Sequence, residues 1–180
     1  MKSKWLVLAV AAMLTSAAFA AEDAGVTPNL DKGTKVLEGA GSIDGDTPLG
    51  TDVQLQLGYG YFIADGIEVA GIGGFSDNDE FTTYNVGARI EYNLVLDSEV
   101  VPFVGAGVLW VGSEVDETDE SNDTAVGRFS AGLKWFIRND VALTFSAVYD
   151  IAADDIFVDE DGELQDDNFS GLFGIRYYFD

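Results

Sequence analysis

From Val53 to Tyr61 the chain reads Val53-Gln54-Leu55-Gln56-Leu57-Gly58-Tyr59-Gly60-Tyr61, with an apolar side chain at every second position. Successive side chains of a strand point to opposite faces, so this rhythm predicts a strand with one apolar face and one polar or glycine face. The rhythm recurs down the chain. With the turn signals between the runs, it predicts eight strands, at about 34–43, 52–63, 66–75, 81–95, 101–112, 124–137, 140–151 and 168–179. Most reach the roughly 9–11 residues that a tilted strand needs to cross a bilayer.

The predicted connections alternate in length. Ala64-Asp65-Gly66, Arg138-Asn139 and Leu96-Asp97-Ser98-Glu99 are short, whereas the links around 44–52, 113–123 and 152–167 are longer and acidic. Short turns on one rim and long loops on the other are the pattern of outer-membrane barrels, with the short rim periplasmic. A weak internal repeat sits at two of the short turns. Tyr61-Phe62-Ile63-Ala64-Asp65-Gly66-Ile67-Glu68-Val69 aligns with Trp135-Phe136-Ile137-Arg138-Asn139-Asp140-Val141-Ala142-Leu143. Asp-Gly and Asn-Asp suit such hairpins because these residues tolerate positive φ.

Alternation fits two opposite barrels: a soluble one with its apolar face inside, and a membrane one with that face outside. The fourth strand carries Tyr84, Val86, Ala88, Ile90 and Tyr92 on one side and Asn85, Gly87, Arg89, Glu91 and Asn93 on the other. The sixth sets Phe129, Leu133 and Trp135 against Arg128, Ser130 and Lys134, and the seventh puts Val141, Leu143, Phe145 and Tyr149 on its apolar side. In the fifth, where both faces are small or apolar, Val104, Ala106, Val108 and Trp110 are assigned outward. These apolar faces lack mid-strand charge, as a lipid contact requires, since Arg or Lys at the midplane costs about 2–4 kcal/mol. The polar faces hold mainly Gly, Ser, Asn and Gln, thin cover for a soluble surface. Aromatics gather at strand ends, as in an interfacial girdle. The expected architecture is an all-β, eight-stranded antiparallel up-and-down transmembrane β-barrel, with the apolar face toward lipid.

The start of the chain agrees with that address. Met1-Lys2-Ser3-Lys4 precedes an apolar run from Trp5 to Leu14 and then Ala18-Phe19-Ala20, the layout of a secretory signal peptide cleaved before Ala21. The expected organisation is a signal peptide at 1–20, a flexible leader at 21–33 and the barrel domain at 34–180. Cysteine is absent, which excludes disulfides and thiolate metal sites. The formal charge of −23 becomes more negative once Lys2 and Lys4 leave, so nucleic acid is not an expected partner.

Val101-Pro102-Phe103-Val104-Gly105-Ala106-Gly107, Gly132-Leu133-Lys134-Trp135-Phe136 and Phe173-Gly174-Ile175-Arg176-Tyr177-Tyr178-Phe179 carry a family resemblance. The chain resembles the small eight-stranded outer-membrane barrels typified by the transmembrane domain of outer membrane protein A. The resemblance covers about 34–180 and implies the outer membrane of a Gram-negative bacterium. It also implies outer-membrane lipid and lipopolysaccharide as surroundings, and a monomer is expected. The last segment resembles the C-terminal signal read by the barrel-assembly machinery, with Gly174, Tyr177 and Phe179 at its glycine and aromatic positions. Asp180 after the usual terminal aromatic, and Leu172 at a usually polar position, depart from that pattern.

Candidate chemistry is sparse. Histidine is absent. The acyltransferase, deacylase and rim-protease barrels that the resemblance implies as rivals use a histidine as base or in the catalytic pair, so they are not expected. Inward-facing Glu38, Glu68, Arg89, Glu91, Arg128, Lys134, Asp150 and Arg176 form a predicted lumen charge set, which must pair or be hydrated. Glu38 and Arg176, and likewise Glu68 and Arg89, are expected on neighbouring strands. Eight strands leave little more than side-chain room, so a salt-bridge plug is the first reading and a gated ion path the second. The four outer connections, 44–52, 76–80, 113–124 and 152–168, hold 20 acids and no Lys or Arg. Oxygen-rich clusters suit Ca²⁺ or Mg²⁺. Asp159, Asp161 and Glu163 are the loop candidates, although Phe157 stands where a calcium loop's first ligand belongs; otherwise no cofactor is expected. Two functions follow: a non-enzymatic membrane protein supporting envelope integrity, with a narrow pore as its extension, and a surface module whose acidic loops bind cations or external ligands.

Overall fold

A computed structural model of the chain describes residues 25–180, apart from 48–49, 78–80, 97, 116–117, 155 and 159–163. Ten strands follow in order: β1 (Lys35–Thr47), β2 (Gly50–Ala64), β3 (Ile67–Asp77), β4 (Phe81–Asn93), β5 (Val100–Val115), β6 (Thr118–Arg138), β7 (Val141–Ala152), β8 (Phe157–Val158), β9 (Leu164–Gln165) and β10 (Asp167–Phe179). All but β8 and β9 form one closed antiparallel barrel, in which each strand pairs with its neighbour in the chain and β10 closes on β1. The short β8–β9 hairpin lies in the connection between β7 and β10.

The apolar face points outward. Leu57 is 72% exposed and Val108 67%, while Glu68 is 1% exposed and Lys134 is fully buried. Phe129 and Phe145 lie on the outside, and Val104 and Trp110 join them there. This inversion rules out the soluble barrel, because water would face the apolar side chains and the charges would have no solvent. Tyr61, Tyr92, Trp135 and Tyr177 mark one rim of the outer face, and Phe75, Tyr84, Trp110 and Phe169 the other. Such rings suit a membrane interface, where an aromatic body and a wet tip are both accommodated.

The two halves of the sequence repeat are the same structural unit. Each has a register shift just before its turn, at Phe62/Ala64 and at Phe136/Arg138. Each turns a fully buried phenylalanine into the lumen. Only the first turn uses positive φ, at Gly66 with φ 72°. A β-carbon there would also come within 2.8 Å of the Asn93 carbonyl oxygen, so glycine is required on two counts. Asn139 and Asp140 make their turn without positive φ, contrary to the reason the sequence suggested.

Two further sequence expectations change. The acidic stretches expected as loops at 44–52 and 113–123 are mostly strand: β1 runs to Thr47, β5 to Val115, and β6 begins at Thr118. The ladder continues through Gly112↔Asp123, Ser113↔Asn122 and Glu114↔Ser121. Once two strands are in register, main-chain pairing propagates whatever the charge of the side chains, and strand propensity yields to context. At about 3.4 Å per residue the 21 residues of β6 span about 70 Å, well beyond a hydrocarbon core of about 30 Å even when tilted. The β5–β6 hairpin is therefore longer than a bilayer crossing requires.

The second change concerns the expected flexible leader. Residues 26–34 lie across the mouth at the short-turn rim, the periplasmic rim of outer-membrane barrels, hydrogen-bonded to two turns. Asn29 N–H donates to Asn139 O (3.2 Å), Gly66 N–H to Leu30 O (2.9 Å), and Lys32 N–H to Asp65 Oδ1 (2.9 Å). Leu30 is buried against the apolar side chains of the lumen floor. Val26 packs against the same floor, so Leu30 and Val26 are the apolar anchors of an otherwise polar stretch.

Candidate functional site

The barrel interior is built in three layers, each a consequence of the period-two alternation. At the periplasmic end, inward Val36, Phe62, Val101, Phe136, Ala142 and Tyr178 form an apolar floor. Towards the outer end, Ala70, Ile72, Leu109, Val126 and Ala152 form an apolar ceiling, against which Ile156 and Phe157 of the β7–β10 connection pack. Between them lies the charged layer.

That layer collects acids and bases from different strands. Arg89 on β4 grips Glu38 on β1 with both terminal nitrogens, at 3.0 and 2.5 Å, and also reaches Glu68 on β3 at 3.1 Å. Arg176 on β10 contacts three carboxylates. Its terminal nitrogens bind Glu91 at 2.8 and 3.0 Å, one of them lies 3.3 Å from Glu68, and its Nε lies 2.8 Å from Glu38. Lys134 on β6 is wholly buried, pairs with Glu91 and lies 3.4 Å from Glu68 Oε2. The Phe103 ring sits beside both cations, 5.2 Å from Lys134 Nζ and 5.3 Å from Arg176 Cζ. Three carboxylates therefore face three bases, and the cluster is neutral.

A second pair lies beside it. Arg128 binds Asp150 through Nε at 2.8 Å and a terminal nitrogen at 2.7 Å. Gln56 joins the two sets: its Oε1 accepts from Arg128 at 2.8 Å, and its Nε2 donates to Glu38 Oε1 at 3.0 Å. The structure thus brings all eight predicted lumen charges into one network. Glu68 and Arg89 are on adjacent strands but one step out of register, since Glu68 is opposite Glu91 and Arg89 opposite Ala70. Two like charges stand face to face there and are tolerated because Arg89, Arg176 and Lys134 bracket them. Sequence reasoning missed Gln56 and Phe103. Gln56 is the inward polar member of the clearest strand and could have been found by its period; Phe103 lies on a strand with two apolar faces.

A cavity of about 30 Å³ remains beside this network, lined by Gln56, Arg89, Arg128, Thr144, Ser146 and Arg176 among others. That is room for one or two waters. The interior offers hydrogen bonding and charge compensation.

The other predicted residues fall elsewhere. Tyr177 and Phe179 point outward at the periplasmic end of β10, with their rings stacked 5.8 Å apart. Gly174 faces inward, where a β-carbon would lie 2.7 Å from the Gly39 carbonyl oxygen. Asp159, Asp161 and Glu163 lie outside the described residues. Among the described residues no group of three or more carboxylates is placed to hold a metal ion.

The barrel is similar to several solved structures. They include Neisserial surface protein A (18% identity, TM-score 0.62, covering 82% of this chain and 98% of that one). The N-terminal β-barrel domain of Pseudomonas aeruginosa OprF is also similar (14% identity, TM-score 0.62, 82% and 98%). So is the outer membrane protein OprG from the same organism (13% identity, TM-score 0.60, 86% and 99%). At these identities the likeness is one of fold. Comparison with curated protein sequences finds no match. The model of one family, described as the outer membrane protein beta-barrel domain, matches residues 6–179. With a closed eight-stranded barrel, an outward apolar belt and a family match over nearly its whole length, the chain belongs to the outer membrane protein beta-barrel domain family.

Proposed function

We propose that this chain is exported, cleaved before Ala21, and inserted as a closed, non-catalytic barrel that supports outer-membrane integrity. The observation that carries this reading is the filled lumen: a neutral ion-pair network between two apolar layers. An ion crossing it would have to separate buried pairs and pass side chains with no solvating groups, which is costly in a low-dielectric interior. On this reading the barrel-assembly machinery inserts the chain through Gly174, Tyr177 and Phe179, and lipid and lipopolysaccharide are its neighbours. The test is single-channel recording of the folded protein in planar bilayers. Silence is expected. Discrete steps that change with Arg89→Ala would replace the sealed barrel with a gated ion path.

A second reading rests on the β5–β6 hairpin, which extends past the bilayer and belongs to an outer rim whose connections carry no Lys or Arg. It makes the outer hairpins a surface module that meets cations or external ligands. Calcium titration of the folded protein, read by the mobility of labelled outer hairpins, tests it. Unchanged mobility removes cations from the account.

A further inference from the structure

The weakest seam of the barrel wall is the one that closes it. β1 and β10 share seven register pairs, from Lys35↔Phe179 to Gly41↔Phe173. Every other pairing in the barrel has eleven or more. Above Gly41, β1 continues to Thr47 paired with β2 alone, and below Phe173 in sequence, β10 pairs with β7 alone. Main-chain hydrogen bonding across this seam is concentrated at the periplasmic end.

Leu30 is seated at that end. The floor it covers includes Val36 and Tyr178, which are register partners across the seam, together with Phe62, Val101, Phe136 and Ala142 from four other strands. The segment carrying it is fastened on both sides. Thr27 N–H donates to Asn139 Oδ1 (3.2 Å) and Asn29 N–H to Asn139 O at the β6–β7 turn. Lys32 N–H and the Leu30 carbonyl bond to Asp65 and Gly66 at the β2–β3 turn, and Gly33 N–H donates to Phe62 O (2.9 Å). The two anchoring turns lie on opposite sides of the seam: β2–β3 beyond β1, and β6–β7 beyond β10.

We propose that residues 26–34 are a closure latch. The strap bridges the seam from one turn to the other and buries Leu30 over the Val36–Tyr178 pair. In an open sheet β1 and β10 are its two far edges, so neither the seat nor the bridge exists until β10 has found β1. The strap then acts after closure and holds the shortest ladder shut. The contacts that span the seam, Leu30 over Tyr178 and Thr27 and Asn29 to Asn139, form only after β10 has met β1, and late-forming contacts slow unfolding while leaving the folding rate nearly unchanged.

The test is a pair of rates for the full chain, folding from urea into phosphatidylcholine vesicles and unfolding in concentrated urea, both followed by heat-modifiable gel migration. Leu30→Ala empties the seat. Lys32→Pro removes one main-chain donor to the β2–β3 turn and leaves the floor untouched. Expected for Leu30→Ala is an unfolding rate raised about tenfold or more, with a folding rate within about twofold of the parent. Lys32→Pro shifts the same rate by less. The latch is overturned if folding slows as much as unfolding quickens, or if neither rate moves. Failure of either variant to fold at all also overturns it, because that outcome would put the strap ahead of closure.

Discussion

Arg176 and Glu38 stand opposite each other across the seam where β10 meets β1, with the arginine Nε 2.8 Å from a carboxylate oxygen. The last strand thus brings into the lumen a cation that the first strand needs. Arg176 also serves Glu91 and Glu68, so Arg176→Met leaves three buried carboxylates short of a partner. Removing one member of a buried ion network costs about 3–5 kcal/mol. Urea titration of the folded variant in vesicles should show a loss of that order; a loss within error of zero would mean that Lys134 and Arg89 suffice.

Gln56 is the only described link between the Arg128–Asp150 pair and the six-residue cluster. Gln56→Leu, of similar size, removes the acceptor at one Arg128 terminal nitrogen and one of the two donors to Glu38 Oε1. The expected cost is about 1–3 kcal/mol, smaller than for Arg176→Met because no charge is removed. A double-mutant cycle with Asp150→Asn checks the link: the two changes should be non-additive if Gln56 couples the sets.

Val108 lies at the middle of β5 on the lipid face. Val108→Arg is expected to destabilise the folded protein by about 2–4 kcal/mol, whereas Tyr84→Arg, towards the outer rim, costs about 0–1 kcal/mol. Equal costs at the two depths would contradict the proposed placement in the bilayer. Trp110 and Trp135, at opposite rims, give an independent check: each should be quenched better by spin labels near the headgroups than by labels at the bilayer centre.

Gly132 faces the lumen, where a β-carbon would run into the Phe145 carbonyl and come within 2.9 Å of the Phe103 ring. Gly71 faces outward, with nothing within 4 Å of the same position. Gly132→Ala should cost about 1–3 kcal/mol through overpacking, and Gly71→Ala should be neutral or slightly stabilising. Urea midpoints for the two variants measure this directly.

Much of the architecture was legible because a strand's two faces can be read from alternate residues. β4, β6, β7 and β10 each have one face free of mid-strand charge, and that face points outward in all four. The lumen charges were legible for the same reason, since an inward Glu68 or Lys134 interrupts an otherwise small or polar face. Harder to read were elements whose state depends on a distant partner. Asp123 pairs with Gly112 because β5 and β6 had already set the register below them, and no local preference of an acidic run announces that. Leu30 is an anchor only because a ring of six strands ends in an apolar floor beneath it.

The alternating pattern by itself determined the number of barrel strands and which side chains share a face, because side-chain direction in a strand follows from local backbone geometry; the lack of charge on the apolar faces then assigned them outward and the charges inward. Tertiary structure alone decided which of those charges touch. Glu68 stands opposite Glu91 and meets Arg89 on the diagonal, Gln56 joins two ion sets, and the strap crosses the closing seam. Each of these depends on the stagger between strands and on how the barrel closes, quantities set by the whole ring of hydrogen bonds and written in no single segment of the chain.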